Sequence, residues 1–452
     1  MSDLMISISG VRGIVGDALT PETALSLAAA FAEVAPPGEI LVASDGRTSG
    51  GALRAVCLAG LGAVGRRAID LGIAPTPTTE LAVARAGAAG AVIVTASHNP
   101  REWNGFKFVG PDGTFIRQET LDRLVARWQA GAIPWKRWDA VETPRTRDDA
   151  AEFHVQRVLG LDIIDAERCR RARLPVVLDT ISASGGVVAP RLLDALGCRV
   201  THLNAEPSGR FSRAPEPVPE NIAPDGQAVR ESKAAVGLVL DPDADRLALL
   251  DENGTPIGEE YTLALAVYAI RRKKPGGPVV VNVSTSRMID DVGAMLGFPV
   301  FRTPVGEINV VEGMLAHRAT LGGEGNGGLI YGDLHYGRDG ILGVAVIVDL
   351  LAETGMSVSR LTRLLPPYAI VKQKLPASRE SLPSLFAALR ARASDLGALV
   401  DDCDGVKLVL PDRWVHLRPS NTEPIIRVIA EAPTEREALV LCQIAQDLVP
   451  GK

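Results

Sequence analysis

Aromatic residues are scarce in this 452-residue chain, at 4%, so Ala, Val, Leu and Ile must fill its cores. Cysteine is also sparse. Cys57, Cys169, Cys198, Cys403 and Cys442 are widely spaced and odd in number, and no Cys-x-x-Cys occurs. That argues against a disulfide framework and against a thiolate metal site, and it fits a reducing cytoplasm. No apolar run reaches the roughly 18 residues of a membrane span, and Met1 to Ile8 lacks the basic region and apolar core of a signal peptide. A soluble, cytoplasmic protein without membrane partners is expected. Cationic excess is missing too: the net charge of −6 argues against general nucleic-acid binding. A local cationic site for an anionic small substrate is compatible with an acidic whole.

What is present is globular composition, 46% hydrophobic and 23% charged. The length implies about three or four domains. Strand-like and helix-like stretches alternate, which predicts βαβ units and a largely parallel sheet. Thr20-Pro21-Glu22 carries a helix start, with an N-cap, a proline and an acid in the first turn. Ile40 to Ala43 reads as a strand and Pro75 to Thr78 as a rigid connection. The charged stretch from Trp135 to Asp149 marks a first boundary, and Leu365-Pro366-Pro367-Tyr368 marks the last. Four segments result: 1–150, 151–252, 253–368 and 369–452.

The chemistry concentrates in a few loops. Val92 to Val94 is a short apolar strand running into Thr95, Ser97, His98, Asn99 and Pro100, with Lys107 close behind. Open α/β sheets bind ligands beyond the carboxyl ends of their strands. On residue types alone, an ordinary polar turn is the stronger reading. Val236 to Leu240 leads straight into Asp241, Asp243, Asp245 and Arg246. Three carboxylates at alternate positions repel one another unless a cation sits among them, and their hard oxygens suit Mg²⁺. A solvated acidic turn explains poorly why the cluster directly follows a buried strand.

Three further loops carry polar groups in glycine or arginine frames. Arg12 lies among Gly10, Gly13 and Gly16 near the start, where a surface arginine in a flexible loop is expected. Gly322 to Gly328 frames Glu324 and Asn326, with His335 and Arg338 shortly after. Such a loop can hydrogen-bond sugar hydroxyls or be a long flexible turn. Arg418, Ser420, Asn421, Thr422 and Arg427 make a good cup for a phosphate, with a turn carrying incidental arginines as the alternative.

Thr95 to Pro100 resembles the phosphoserine loop of the α-D-phosphohexomutases. The Asp241–Arg246 loop, the Gly322–Gly328 loop and the Arg418–Pro424 string resemble that family's metal, sugar and distal phosphate loops, in the same order. The resemblance spans nearly the whole chain. It implies a four-domain α/β architecture, with three similar α/β domains containing mixed sheets and a smaller C-terminal α+β domain around a central cleft. In chain order these are the phosphoserine-loop, metal-loop, sugar-recognition and phosphate-binding domains.

The implied activity is interconversion of hexose 6-phosphate and hexose 1-phosphate through a phosphoserine at Ser97. Mg²⁺ would sit on Asp241, Asp243, Asp245 and the Ser97 phosphate. Arg12, His98, Lys107 and Arg246 would surround the transferring group. Glu324, Asn326, His335 and Arg338 would meet the sugar, and Arg418, Ser420, Asn421, Thr422 and Arg427 its phosphate. Hexose 1,6-bisphosphate would be intermediate and activator, and a monomer or homodimer is expected.

The chain departs from the commonest bacterial version, which has serine at the Asn326 place and histidine at the Gly328 place. Glu307 stands where some members have histidine. The histidines assigned as acid or base in those relatives therefore cannot be carried over, and His335 is the replacement on offer. The loop resembles a subgroup labelled both phosphoglucosamine mutase and phosphomannomutase. Phosphoglucosamine mutase leads slightly, with phosphomannomutase/phosphoglucomutase as the alternative. A metal-dependent phosphatase and a non-catalytic sugar-phosphate binding protein are more distant readings.

Overall fold

The computed structural model describes residues 4–376, 381–419 and 425–448. Its first sheet contains β1 (Met5–Ser7), β2 (Gly10–Ile14), β3 (Ile40–Ser44), β4 (Ala68–Ile73), β5 (Gly90–Val94), β6 (Trp103–Val109) and β7 (Arg145–Thr146). The strand order is β1-β2-β6-β5-β3-β4-β7. The expectation of a largely parallel sheet is corrected here. β3 pairs parallel with β4 and β5, but β5–β6, β6–β2 and β2–β1 are antiparallel. The cause is the connection. β5 passes through the Ser97 loop into β6 without a crossover helix, so the chain returns beside the strand it left.

Alternation along β3 and β5 separates two apolar layers. Ile40, Val42, Val92 and Val94 join one cluster, while Leu41, Ala43, Ala91 and Ile93 join the other. Ala24, Leu27 and Ala28 of the Pro21–Val34 helix are buried in the first layer, alongside Phe31, Phe106 and Phe108. Thr20 caps that helix by accepting from the Thr23 N–H at 3.2 Å.

The second sheet holds β8 (Pro175–Asp179), β9 (Arg199–Leu203), β10 (Val236–Leu240) and β11 (Leu247–Leu250), in the order β11-β10-β8-β9. The third holds β12 (Val279–Asn282), β13 (Val300–Thr303), β14 (Leu321–Glu324), β15 (Gly328–Tyr331) and β16 (His335–Arg338), in the order β13-β12-β14-β15-β16. Leu178, Leu238, Leu263, Val279 and Ile341 belong to one apolar core that runs through both. The fourth holds β17 (Ala369–Pro376), β18 (Leu399–Asp401), β19 (Val406–Val409), β20 (Trp414–Pro419) and β21 (Ile425–Ala432), antiparallel throughout.

Three local readings change. Gly10 to Ile14 is strand β2, not a flexible loop, because it is sandwiched between β1 and β6. The Pro75–Thr78 run is the start of the Thr76–Ala86 helix, where proline's fixed φ is tolerated in the first turn. Gly322 to Gly328 is a tight hairpin, with Glu324 opposite Gly328 in the β14–β15 pair.

Candidate active site

The Ser97 loop leaves the end of β5 under strong local constraint. Ser97 itself has a φ of +48°, a left-handed conformation that a serine holds only when its surroundings enforce it. Two groups do so. The Thr95 hydroxyl accepts from the Ser97 N–H at 2.9 Å and donates to Asp45 at 2.6 Å. Arg47, 2% exposed, donates to the carbonyls of Ser97 (2.5 Å), Asn99 (2.7 Å), Pro100 (2.7 Å) and Trp103 (3.0 Å). Its Nε is held by Asp45 at 3.1 Å. Arg47 was not singled out from the sequence. Its only signal there was Asp45-Gly46-Arg47 at the exit of a strand.

The constrained backbone points Ser97 Oγ at the second sheet. Arg246 Nη2 donates to it at 2.8 Å, and Asp241 Oδ2 lies 3.3 Å away. The same Arg246 nitrogen donates to His98 Nδ1 at 2.6 Å. Burial, then Arg246 and Arg12, hold His98 well below the usual imidazole range. The ring is neutral, and because guanidinium can only donate, Nδ1 is its acceptor. Arg12, on β2, donates to Asn99 Oδ1 at 2.8 Å and so stands on the loop's other side.

Asp241, Asp243 and Asp245 follow β10 and are each fully buried, with ligand oxygens all within 4.8 Å of one another. Lys107 Nζ lies 2.6 Å from Asp243 and 3.0 Å from Asp245, and Arg246 Nε lies 3.1 Å from Asp241. Burial pulls the Lys107 ammonium down, but Asp243 and Asp245 outweigh it and hold it above its ordinary range. Burial and then Asp245 push Asp241 up to about 8, against the pull of Arg246. Among the described residues Asp243 Oδ1 is buried without a hydrogen-bond partner. A hard divalent cation fits this donor set.

Arg338 brings the third sheet to the same place. Its guanidinium lies 2.6 Å from Asp245, 2.6 Å from Glu324 and 2.9 Å from Glu307. Glu324 also accepts from Asn282 at 2.8 Å and from the Gly306 N–H at 3.2 Å. Asn326 Oδ1 accepts from the Gly328 N–H at 3.3 Å, closing the hairpin. His335 does not join this cluster. Its Nε2 lies 3.1 Å from Asp339 and its Nδ1 3.3 Å from Glu80. Only Nε2 makes a hydrogen bond among the described residues, and both ring nitrogens face carboxylates rather than the Arg338 cluster.

On the fourth sheet, Arg418 and Arg427 lie directly opposite each other in the β20–β21 pair. Like charges so placed repel unless an anion lies between them. Arg418 Nε lies 3.1 Å from Asp404, which also accepts from the Val305 N–H at 3.0 Å. Among the described residues Arg427 Nε is buried without a hydrogen-bond partner. Ser420, Asn421 and Thr422 lie outside the described residues.

Family models for the four phosphoglucomutase/phosphomannomutase domains match the chain in order. Alpha/beta/alpha domain I matches residues 5–132, domain II 152–254, domain III 258–368 and the C-terminal domain 371–445. A relative named probable phosphoglucosamine mutase from Methanopyrus kandleri is 37% identical over 98% of this chain and 96% of its own. One named phosphoglucomutase/phosphomannomutase from Thermococcus kodakarensis is 36% identical over 95% and 94%. A solved phosphoglucomutase/phosphomannomutase family protein from Burkholderia thailandensis is 28% identical, with a TM-score of 0.85 and 99% of each chain covered.

Proposed function

The chain belongs to the phosphoglucomutase/phosphomannomutase family, and on that premise we propose that it is a phosphohexomutase carrying its transferable phosphoryl group on Ser97. The observation that carries this reading is the meeting of Ser97 Oγ with Arg246 at 2.8 Å and Asp241 at 3.3 Å. A serine is there placed against a charged site built from another sheet. Segments 1–150, 151–252, 253–368 and 369–452 are its working units. Glucosamine 6-phosphate and glucosamine 1-phosphate are its preferred pair, in keeping with the name of the Methanopyrus kandleri relative. Mannose and glucose phosphates are the alternative, in keeping with the Thermococcus kodakarensis one.

The residues divide the work. The substrate's own phosphate rests between Arg418 and Arg427, which leaves the far hydroxyl directed at Ser97. That hydroxyl attacks the Ser97 phosphorus. A sugar O–P bond forms, the Ser97 Oγ–P bond breaks, and the hydroxyl proton passes, in net, to the serine oxygen that the phosphorus has left. Arg246 stands at hydrogen-bond distance from Oγ and meets the charge left there, while Lys107 and Arg12 supply cationic field. Mg²⁺ on Asp241, Asp243 and Asp245 would supply further charge neutralisation at the phosphoryl oxygens. The bisphosphorylated sugar turns over and its other phosphoryl group returns to Ser97, with a proton taken up by the sugar oxygen. One donor and one anchor thus serve both directions. Exclusion of water from the buried Ser97 site favours transfer over hydrolysis.

Among the described residues no helix is long and apolar enough to cross a membrane. A cytoplasmic monomer or homodimer acting on phosphosugars is the setting proposed. Ser97→Ala tests the reading: turnover should fall about a thousandfold or more while phosphosugar binding stays measurable by calorimetry. Turnover like the wild type would remove Ser97 from the reaction.

A further inference from the structure

The Thr76–Ala86 helix carries Thr78 and Glu80 two residues apart, both buried. A ring of contacts leaves the helix at one and returns at the other. Thr78 Oγ1 lies 2.8 Å from His154 Nδ1. His154 Nε2 lies 2.9 Å from Asp339 Oδ2, and the same oxygen lies 3.1 Å from His335 Nε2. His335 Nδ1 then lies 3.3 Å from Glu80 Oε2. Among the described residues no hydrogen bond reaches either Glu80 oxygen, and burial pushes its carboxyl up to about 8 against the pull of His335, so this contact is the polar neighbour it has on the ring. The approach requires Gly337, since a Cβ there would come within 2.0 Å of Glu80 Oε2.

The ring sits directly behind the reaction site and touches it through backbone on two sides. Thr76, one turn earlier on the helix, donates its N–H to the Asp243 carbonyl at 3.0 Å and its hydroxyl to Asp243 Oδ2 at 2.7 Å. The Gly340 N–H, next to Asp339, donates to the Ala244 carbonyl at 3.1 Å. Asp243 and Ala244 are therefore held by the two segments that the ring ties together. On β16, His335 and Arg338 are of opposite parity and leave opposite faces of the strand. Anchoring His335 therefore sets where Arg338 stands against Asp245, Glu307 and Glu324.

We propose that Thr78, His154, Asp339, His335 and Glu80 form a positioning ring for phosphoryl transfer, acting through Arg338 and the Asp241–Asp245 loop. None of the five touches Ser97 Oγ or the three aspartates in the contacts described above. They are positioning residues, and a charged His335 is what holds the ring closed. Burial alone would discharge that imidazole, but Asp339 and then Glu80 raise it to about 10. Besides His335, the charged groups facing Glu80 are Glu307, from the Glu307–Ala316 helix, and Lys107, from β6. The kinetic part of the proposal rests on the mutase reading. Its metal-binding part does not.

The test is Glu80→Gln in the full-length protein, followed by Mg²⁺ calorimetry and by pH profiles of turnover. Losing the carboxylate should move the alkaline limb of kcat/KM down by about one pH unit or more. It should lower kcat about tenfold and weaken Mg²⁺ binding by a similar factor. KM for the phosphosugar should stay within about twofold, because the anchor is untouched. An alkaline limb and a Mg²⁺ affinity equal to the wild type would overturn the ring. Should that variant not fold, Thr78→Val opens the ring at its other end. Weaker Mg²⁺ binding, restored in Thr78→Ser, is then expected, and an unweakened Thr78→Val would overturn the proposal. A wild-type protein that binds Mg²⁺ but does not isomerise phosphosugars would overturn the mutase reading, leaving the ring to be judged by Mg²⁺ binding.

Discussion

Arg338 Nη2 lies 2.6 Å from Asp245 Oδ2, joining β16 to the Asp241–Asp245 loop that follows β10 in another sheet. The other guanidinium nitrogens serve Glu324 and Glu307. One planar cation therefore sets the distance between the proposed sugar site and the proposed metal site.

Arg338→Lys keeps the charge but not the fork, and an ammonium cannot span three carboxylates in fixed directions. The variant should lose about tenfold or more in kcat/KM, with kcat carrying most of the loss. Steady-state kinetics check this, and a loss confined to KM would place Arg338 in ground-state sugar binding alone.

Asp243→Asn removes a carboxylate whose Oδ1 has no partner and whose Oδ2 accepts from both Lys107 and Thr76. The Mg²⁺ concentration for half-maximal activity should rise at least about tenfold. Titrating Mg²⁺ against turnover checks this, and an unshifted curve would take Asp243 out of the metal site.

Arg47→Ala would free four carbonyls and leave Asp45 buried without its cation. Breaking such a buried pair costs about 3–5 kcal/mol. Urea denaturation should show that loss, together with a large fall in kcat as Ser97 relaxes from its left-handed conformation. A stable variant with normal turnover would mean that Thr95 and Asp45 alone hold the loop.

How far the site was legible in the sequence follows from how local each part is. The three aspartates directly follow an apolar strand, and that pattern alone favours a cation among them; Ser97 follows a similar strand, but its loop reads as an ordinary polar turn without the resemblance to the phosphoserine loop. Arg47 contacts a loop about fifty residues on, and its sequence surroundings are those of any strand exit. The resemblance gives His335 to the sugar and offers it as acid or base, whereas its partners Glu80 and Asp339 come from distant and neighbouring segments that only the fold brings together. In the fold, alternation of strands and helices was readable. The antiparallel return of β6 was not, since it depends on one connection lacking a helix. The β14–β15 hairpin was hidden by glycines, which strands normally avoid.

The alkaline stability of the protein should depend on His335. Its folded value of about 10 lies above the ordinary 6.5, so the folded state holds the proton more tightly. That contribution is present in full below about pH 6.5 and is lost as the pH rises through about 10. Urea midpoints measured from pH 6 to 10 should fall with pH in the wild type. In His335→Gln they should start lower and fall less, and parallel curves would show that His335 does not carry the charge.

The most direct measurement is a side-by-side assay of the wild-type protein with Mg²⁺ and a trace of hexose 1,6-bisphosphate. Glucosamine 6-phosphate, mannose 1-phosphate and glucose 1-phosphate would be supplied separately, and isomerised sugar phosphate and free inorganic phosphate both quantified. The account predicts isomerisation without phosphate release, with the highest kcat/KM for the glucosamine phosphate. Release of inorganic phosphate in place of isomerisation would contradict it and make Ser97 the centre of a phosphatase.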